Sequence, residues 1–194
     1  SQWWQSLFSP AAITTRLALL LRASGNLSAA LNHAEKALEI EPHDPSLRYL
    51  AADLAYALLE REKAAAIASL PASDEPDGVW SKALAALRIE LALDAGEDSQ
   101  AGRLAQIHLD TLPQETRFLA IQARLMLRVG NQKAAQDAYA AAILELQPVA
   151  HGSLREIDYP PVFGGSSRLA LAETALELEH WGVALKGMEA YTAE

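Results

Sequence analysis

A glycine recurs at the boundary between apolar-periodic segments of this 194-residue chain, and each time the same spacing of small residues follows it. Gly25-Asn26, Gly96-Glu97 and Gly130-Asn131 occupy this place, and Gly96 and Gly130 are 34 residues apart. A glycine here can take the left-handed conformation that ends one helix and turns the chain into the next. Ala30, Ala34, Ala37 and Pro42 follow Gly25; Ala101, Ala105 and Pro113 follow Gly96; Ala135, Tyr139 and Ala142 follow Gly130, with Pro148 one place late. Leu59 lies 34 residues after Gly25 and is followed by Ala64 and Ala68 at the matching offsets, so it stands where a further turn residue is expected. Pro71 closes that unit early. The interval from Leu59 to Gly96 is 37 residues, which makes Ser73-Asp74-Glu75-Pro76 a short insertion at a repeat junction, a loop or a hinge.

Small residues at these offsets have a steric purpose, because two helices of about twelve residues pack tightly only where small side chains face each other across the hairpin. Ser9-Pro10 and Asp44-Pro45 each offer a side-chain acceptor followed by proline at the first helical position, which marks helix starts. Ala and Leu dominate while aromatic residues make up only 6%, a balance that favours closely packed helices over sheet. The expectation is an all-α chain.

The pattern resembles the tetratricopeptide repeat over residues 11–148, in four repeats of about 11–44, 45–76, 77–115 and 116–148. The resemblance implies a right-handed α-solenoid of antiparallel helix pairs, wound as a superhelix. The array is divergent: where the first helix of such a repeat usually carries Trp and Tyr, this chain has Thr14 and Leu21, Arg48 and Ala55, or Leu119 and Met126. Sel1-like repeats or an irregular α-solenoid are the alternatives. After Pro148 the rhythm breaks, and His151-Gly152, Tyr159-Pro160-Pro161 and Phe163-Gly164-Gly165 predict a loop over 149–167. A fifth, degenerate pair is expected over 168–194, from Arg168 to Glu179 and from Trp181 to Ala193, with Ser166 or Ser167 as the helix cap. Residues 1–10 form an aromatic segment whose Trp3, Trp4, Leu7 and Phe8 either cap the open end of the stack or form a juxtamembrane anchor.

Chemistry is sparse. A net charge of −9 argues against a nucleic-acid or anionic-membrane surface, which needs basic density. Without cysteine there is no disulfide framework, thiolate zinc site or cysteine nucleophile. His33, His43, His108, His151 and His180 show no metal-ligand spacing. Phe163 to Arg168 is Gly-rich but lacks the Lys-Ser/Thr of a nucleotide loop, so it reads as a turn. No catalytic set, metal or cofactor is expected. The apolar run Leu17 to Leu21, like every other in the chain, is too short to span a bilayer. The chain opens without Met and reads as a piece of a longer protein, so any membrane association would come through flanking regions. The compartment, cytoplasm or periplasm, stays open.

What the resemblance implies is a groove lined by the first helix of each pair, binding a partner protein or peptide. Counting back from the turn residues maps that groove onto Thr15, Leu19 and Arg22; Tyr49, Asp53 and Tyr56; Ala86, Glu90 and Leu93; and Arg117, Ala120, Arg124 and Arg128. Arg117, Arg124 and Arg128 would share one helix side and suit a partner bearing acidic groups, with Tyr49 and Tyr56 supplying stacking area. A solvated face, or salt links to Glu90 and Glu115, is the competing reading. The Lys and Asn with which chaperone-tail adaptors grip acidic tails are absent from the mapped places. The expected function is a protein–protein interaction scaffold within a larger protein of bacterial style. The alternatives are a scaffold region of a multidomain enzyme or polysaccharide-export protein, and self-association through the ends.

Overall fold

A computed structural model of the chain describes residues 9–69, 78–108, 116–146 and 164–179. All the regular elements among these residues are α-helices: α1 (Pro10–Ala23), α2 (Leu27–Ile40), α3 (Pro45–Ala57), α4 (Arg61–Ser69), α5 (Val79–Asp94), α6 (Asp98–His108), α7 (Thr116–Arg128), α8 (Gln132–Leu146) and α9 (Gly164–Glu177). The expected all-α fold of helix hairpins is what forms. The aromatic residues Trp3, Trp4, Leu7 and Phe8, the 73–76 insertion, Glu115, residues 149–163 and the helix expected from Trp181 lie outside the described residues.

Each hairpin turns on one residue in the left-handed region. Gly25 has φ 78°, Gly96 72° and Gly130 76°, while Leu59 adopts φ 63° although it carries a side chain. The hydrogen bonds repeat as well. The turn residue donates to the carbonyl three residues back, as Gly25 N–H does to Arg22 O at 3.0 Å and Leu59 N–H to Tyr56 O at 2.9 Å. The next residue reaches five back, Asn26 N–H to Leu21 O and Asn131 N–H to Met126 O, both at 2.9 Å. This pair of bonds satisfies carbonyls that the helix end leaves orphaned. The same residue then starts the following helix, for Asn26 and Asn131 accept from the amides of Ala29 and Ala134 through their side chains. Glu179, with φ 60° and its amide bonded to Leu176 O, repeats the first part of this turn at the end of α9.

Five residues beyond each of the first four turns stands an alanine that is fully buried: Ala30, Ala64, Ala101 and Ala135. A methyl at this place lets the second helix approach the first across the turn.

The packing divides into two compact units, Ser1–Leu91 and Ala92–Glu194, with α5 carrying residues of both. Within the first, α1 packs on α2, α2 on α3 and α3 on α4. Within the second, α7 pairs with α8, α9 lies against both, and α6 touches α7. There Leu119, Ala120 and Ala123 of α7, Tyr139 and Ala142 of α8, and Leu171 and Ala175 of α9 form one buried cluster.

One boundary differs from expectation. Helix α9 starts at Gly164, so Gly164-Gly165-Ser166-Ser167, expected to close the loop, forms its first turn. The first amides of a helix have no intrahelical partner, so glycine and serine cost little there compared with the helix interior.

Leu59 is 65% exposed, so replacing it gives up little apolar contact. Leu59→Gly relieves about 1–2 kcal/mol of left-handed strain against about 0.4–1 kcal/mol of added unfolded-chain entropy. Urea denaturation followed by far-UV circular dichroism should therefore show a gain of about 0.5–1 kcal/mol. Gly130→Ala, whose new methyl would meet nothing within 4 Å, should lose a similar amount through the backbone alone; equal stability of the four turns to substitution would contradict this.

Candidate functional site

Counted back from the turn residue, charged side chains recur at the same places on the first helices of the pairs. Six residues before the turn stand Asp53, Glu90, Arg124 and Glu173; two before stand Asp94, Arg128 and Glu177. In the second unit residues from the two sets pair with one another, Arg124 with Asp94 and Glu177.

In the second unit they meet closely. Arg124 Nη2 lies 2.7 Å from Asp94 Oδ1, Nε 2.8 Å from Glu177 Oε1, and Nη1 3.7 Å from Glu173 Oε2. Its side chain is only 4% exposed. Arg128 sits at the margin, 37% exposed, with longer contacts of 3.5 Å to Asp98 Oδ1 and 3.4 Å to Glu177 Oε1. Two guanidinium groups thus hold four carboxylates from α5, α6 and α9. A planar fork with donors on several edges can do this; an ammonium could not bridge the same set. Thr174, fully buried, ties α9 to α7 by donating to Ala120 O at 3.3 Å.

The first unit spends its mapped residues differently. Asp53 is fully buried and binds Arg22 Nη2 at 2.9 Å, joining α1 to α3. Tyr49 is buried with its ring 5.8 Å from that of Trp80 at 41°. Tyr56 is buried beneath the guanidinium of Arg61, 3.6 Å above its ring centre, and Arg61 also donates to Tyr56 O. Two further arginines close gaps between helices: Arg48 donates to Pro42 O at 3.0 Å and Arg88 to Ala68 O at 2.6 Å. Burial pulls both guanidinium groups below their usual pKa, and for Arg88 the nearby charge of Arg48 adds to it.

Of the seven residues assigned to partner contact, six are therefore buried: Tyr49, Asp53, Tyr56, Glu90, Arg117 and Arg124. Arg128 alone among them is exposed. Offsets along a helix give the direction of a side chain, but whether a neighbouring hairpin covers it depends on the stack. The internal salt-link reading of Arg124 finds its partners in Asp94, Glu173 and Glu177. Glu173 and Glu177 carry no periodic signal until Glu179 counts as a turn residue; they then fall into the same columns as Arg124 and Arg128.

Among the described residues no cluster of three or more His, Asp or Glu is arranged to hold a metal, and no helix is long and apolar enough to cross a membrane.

Comparison with known proteins agrees with this architecture. Residues 21–87 match the family model of the tetratricopeptide repeat. No curated protein matches the sequence. Among solved structures, a thermophilic TPR protein of Thermus thermophilus superimposes with a TM-score of 0.56 at 20% identity, covering 93% of this chain and 89% of that one. The matched segment extends from the end of α1 into α5, and the helix hairpins as a whole have the fold of tetratricopeptide-repeat proteins. Repeats of this kind generally mediate protein–protein interaction and typically serve as scaffolds.

Removing Arg124 would take away the guanidinium that bridges Asp94, Glu173 and Glu177. Arg124→Ala should cost about 3 kcal/mol or more, whereas Arg128→Ala, at the exposed margin, should cost less than about 1 kcal/mol. Chemical denaturation of the two variants side by side checks the contrast, and equal losses would refute it.

Proposed function

We propose that this chain is a protein–protein interaction scaffold that binds a segment of a partner protein carrying acidic side chains, with Arg128 as the guanidinium that meets it. The observation that supports this reading is the difference between the two arginines of the cluster. Arg124 is buried with contacts of 2.7 and 2.8 Å, while Arg128 is 37% exposed with contacts of 3.4 and 3.5 Å. Long, solvated ion pairs contribute little, so a partner carboxylate can replace Asp98 on Arg128 at small cost. Arg124 and its three carboxylates hold the helices in place around that exchangeable group. Preorganisation of this kind lowers the ordering cost of binding.

In this reading Arg117 and Arg124 act beneath the contact surface around Arg128, while Tyr49, Asp53, Tyr56 and Glu90 order the helices of the first unit. Binding to arrays of acidic and of basic peptides separates the alternatives. Acidic peptides should be retained, and Arg128→Glu should weaken them by up to about fivefold, the upper end for one lost exposed pair, with the helical fold kept by far-UV circular dichroism. Retention of basic peptides instead, or full capture by Arg128→Glu, would overturn the proposal.

A further inference from the structure

Three columns of the repeat are apolar and buried on α3, α5 and α7 but open on α1. Twelve, nine and five residues before the turn stand Leu47, Leu50 and Leu54; Leu84, Leu87 and Leu91; and Phe118, Ile121 and Leu125, all buried. On α1 the same offsets from Gly25 hold Ile13, Arg16 and Leu20, all exposed, Ile13 by 52% and Leu20 by 67%. Leu17, 39% exposed, widens the apolar surface beside Arg16.

Helix α1 has its own second helix, for α2 packs on it, and Arg22 joins it to α3. What α3 has and α1 lacks among the described residues is a hairpin before it. Helix α2 packs on α3, and in the second unit α9 lies against both α7 and α8. The ridge that the later first helices bury is the one α1 offers to solvent, so its open columns have the spacing to receive a helix.

One residue sets the chemistry of this seat. Arg16 stands at its middle, where the later helices carry Leu50, Leu87 and Ile121, and its guanidinium has no partner among the described residues. Helix α1 contains no Asp or Glu, and its other arginine, Arg22, is bound to Asp53. A wholly apolar helix laid over Arg16 would desolvate an unpaired charge, whereas a carboxylate opposite it forms a charge-assisted pair. A second copy docking α1 on α1 about a two-fold axis through the stripe would set Arg16 against Arg16, and like charges oppose that arrangement. We propose that the α1 seat binds a helical segment of another protein that presents apolar side chains on either side of a carboxylate. The carboxylate meets Arg16, and the apolar residues cover Ile13, Leu17 and Leu20. The arginine restricts the seat to such helices, since an uncharged stripe would accept any apolar one. This surface lies in the first unit and does not use Arg128, which belongs to the second.

Two fluorescein-labelled, stapled amphipathic peptides serve as probes, identical except that Glu or Lys stands between the leucines of the apolar face. By fluorescence anisotropy the full chain should bind the Glu peptide about fivefold more tightly than the Lys peptide, the scale of one exposed ion pair. Arg16→Glu should reverse that order. Ile13→Ser with Leu20→Ser should remove binding of both peptides; all three side chains are exposed, so far-UV circular dichroism should show the helical fold kept. Arg128→Glu should leave both affinities unchanged, which separates this surface from the one proposed above. Equal affinity for the two peptides, an order that survives Arg16→Glu, or binding of neither would overturn the proposal. So would a mass by light scattering that doubles with concentration and stays monomeric in Ile13→Ser with Leu20→Ser, because it would assign the seat to a second copy.

Discussion

Everything in this fold depends on a helix end that reverses within two residues. The turn residue enters the left-handed region, its amide and the next one return to the carbonyls of the last helical turn, and the residue after it already caps the following helix. Because both sets of orphaned backbone groups are satisfied on the spot, the two helices need no longer linker and start their contact at once. The alanine five residues on is the direct consequence. A larger side chain there would hold the helices apart where the turn has brought them together. That such a turn forms on Leu59 as well as on glycine shows that the packing on either side is strong enough to impose the conformation.

Repetition of the turn creates a register, and the register gives the molecule its internal chemistry. Any residue type placed at a fixed distance before the turn meets residues at related distances on adjacent hairpins. Apolar side chains at one set of offsets form the seam between successive pairs. Charged side chains at another set form the Arg124 cluster and the Arg22–Asp53 pair. The cluster is an ion-pair network with a buried centre and an exposed margin. Its centre specifies how α7 and α9 sit with the end of α5, while the margin leaves Arg128 and Asp98 accessible.

How far the site was legible from residues alone follows from the same distinction. The turns at Gly25, Leu59, Gly96 and Gly130, and the buried alanines after them, are local features: backbone conformation and helix capping act over a few residues, and their signature stays in the sequence. Tyr49, Asp53, Tyr56 and Arg124 carried the right register but an unreadable environment. A helix face becomes groove or interior according to what the neighbouring pair lays over it. Trp80, Arg61 and Asp98 gave no periodic signal because each acts through a contact to one particular neighbour.

By itself, then, the sequence determined the helical class, the hairpin period and the positions of the turns, since these arise from short-range sterics and hydrogen bonding. Only the tertiary structure decided that Tyr49 stacks beside Trp80, that Arg124 is sealed among three carboxylates while Arg128 reaches solvent, and that the apolar stripe of α1 lies open. Burial and ion pairing are properties of surfaces brought together from distant parts of the chain, and no local pattern carries that information.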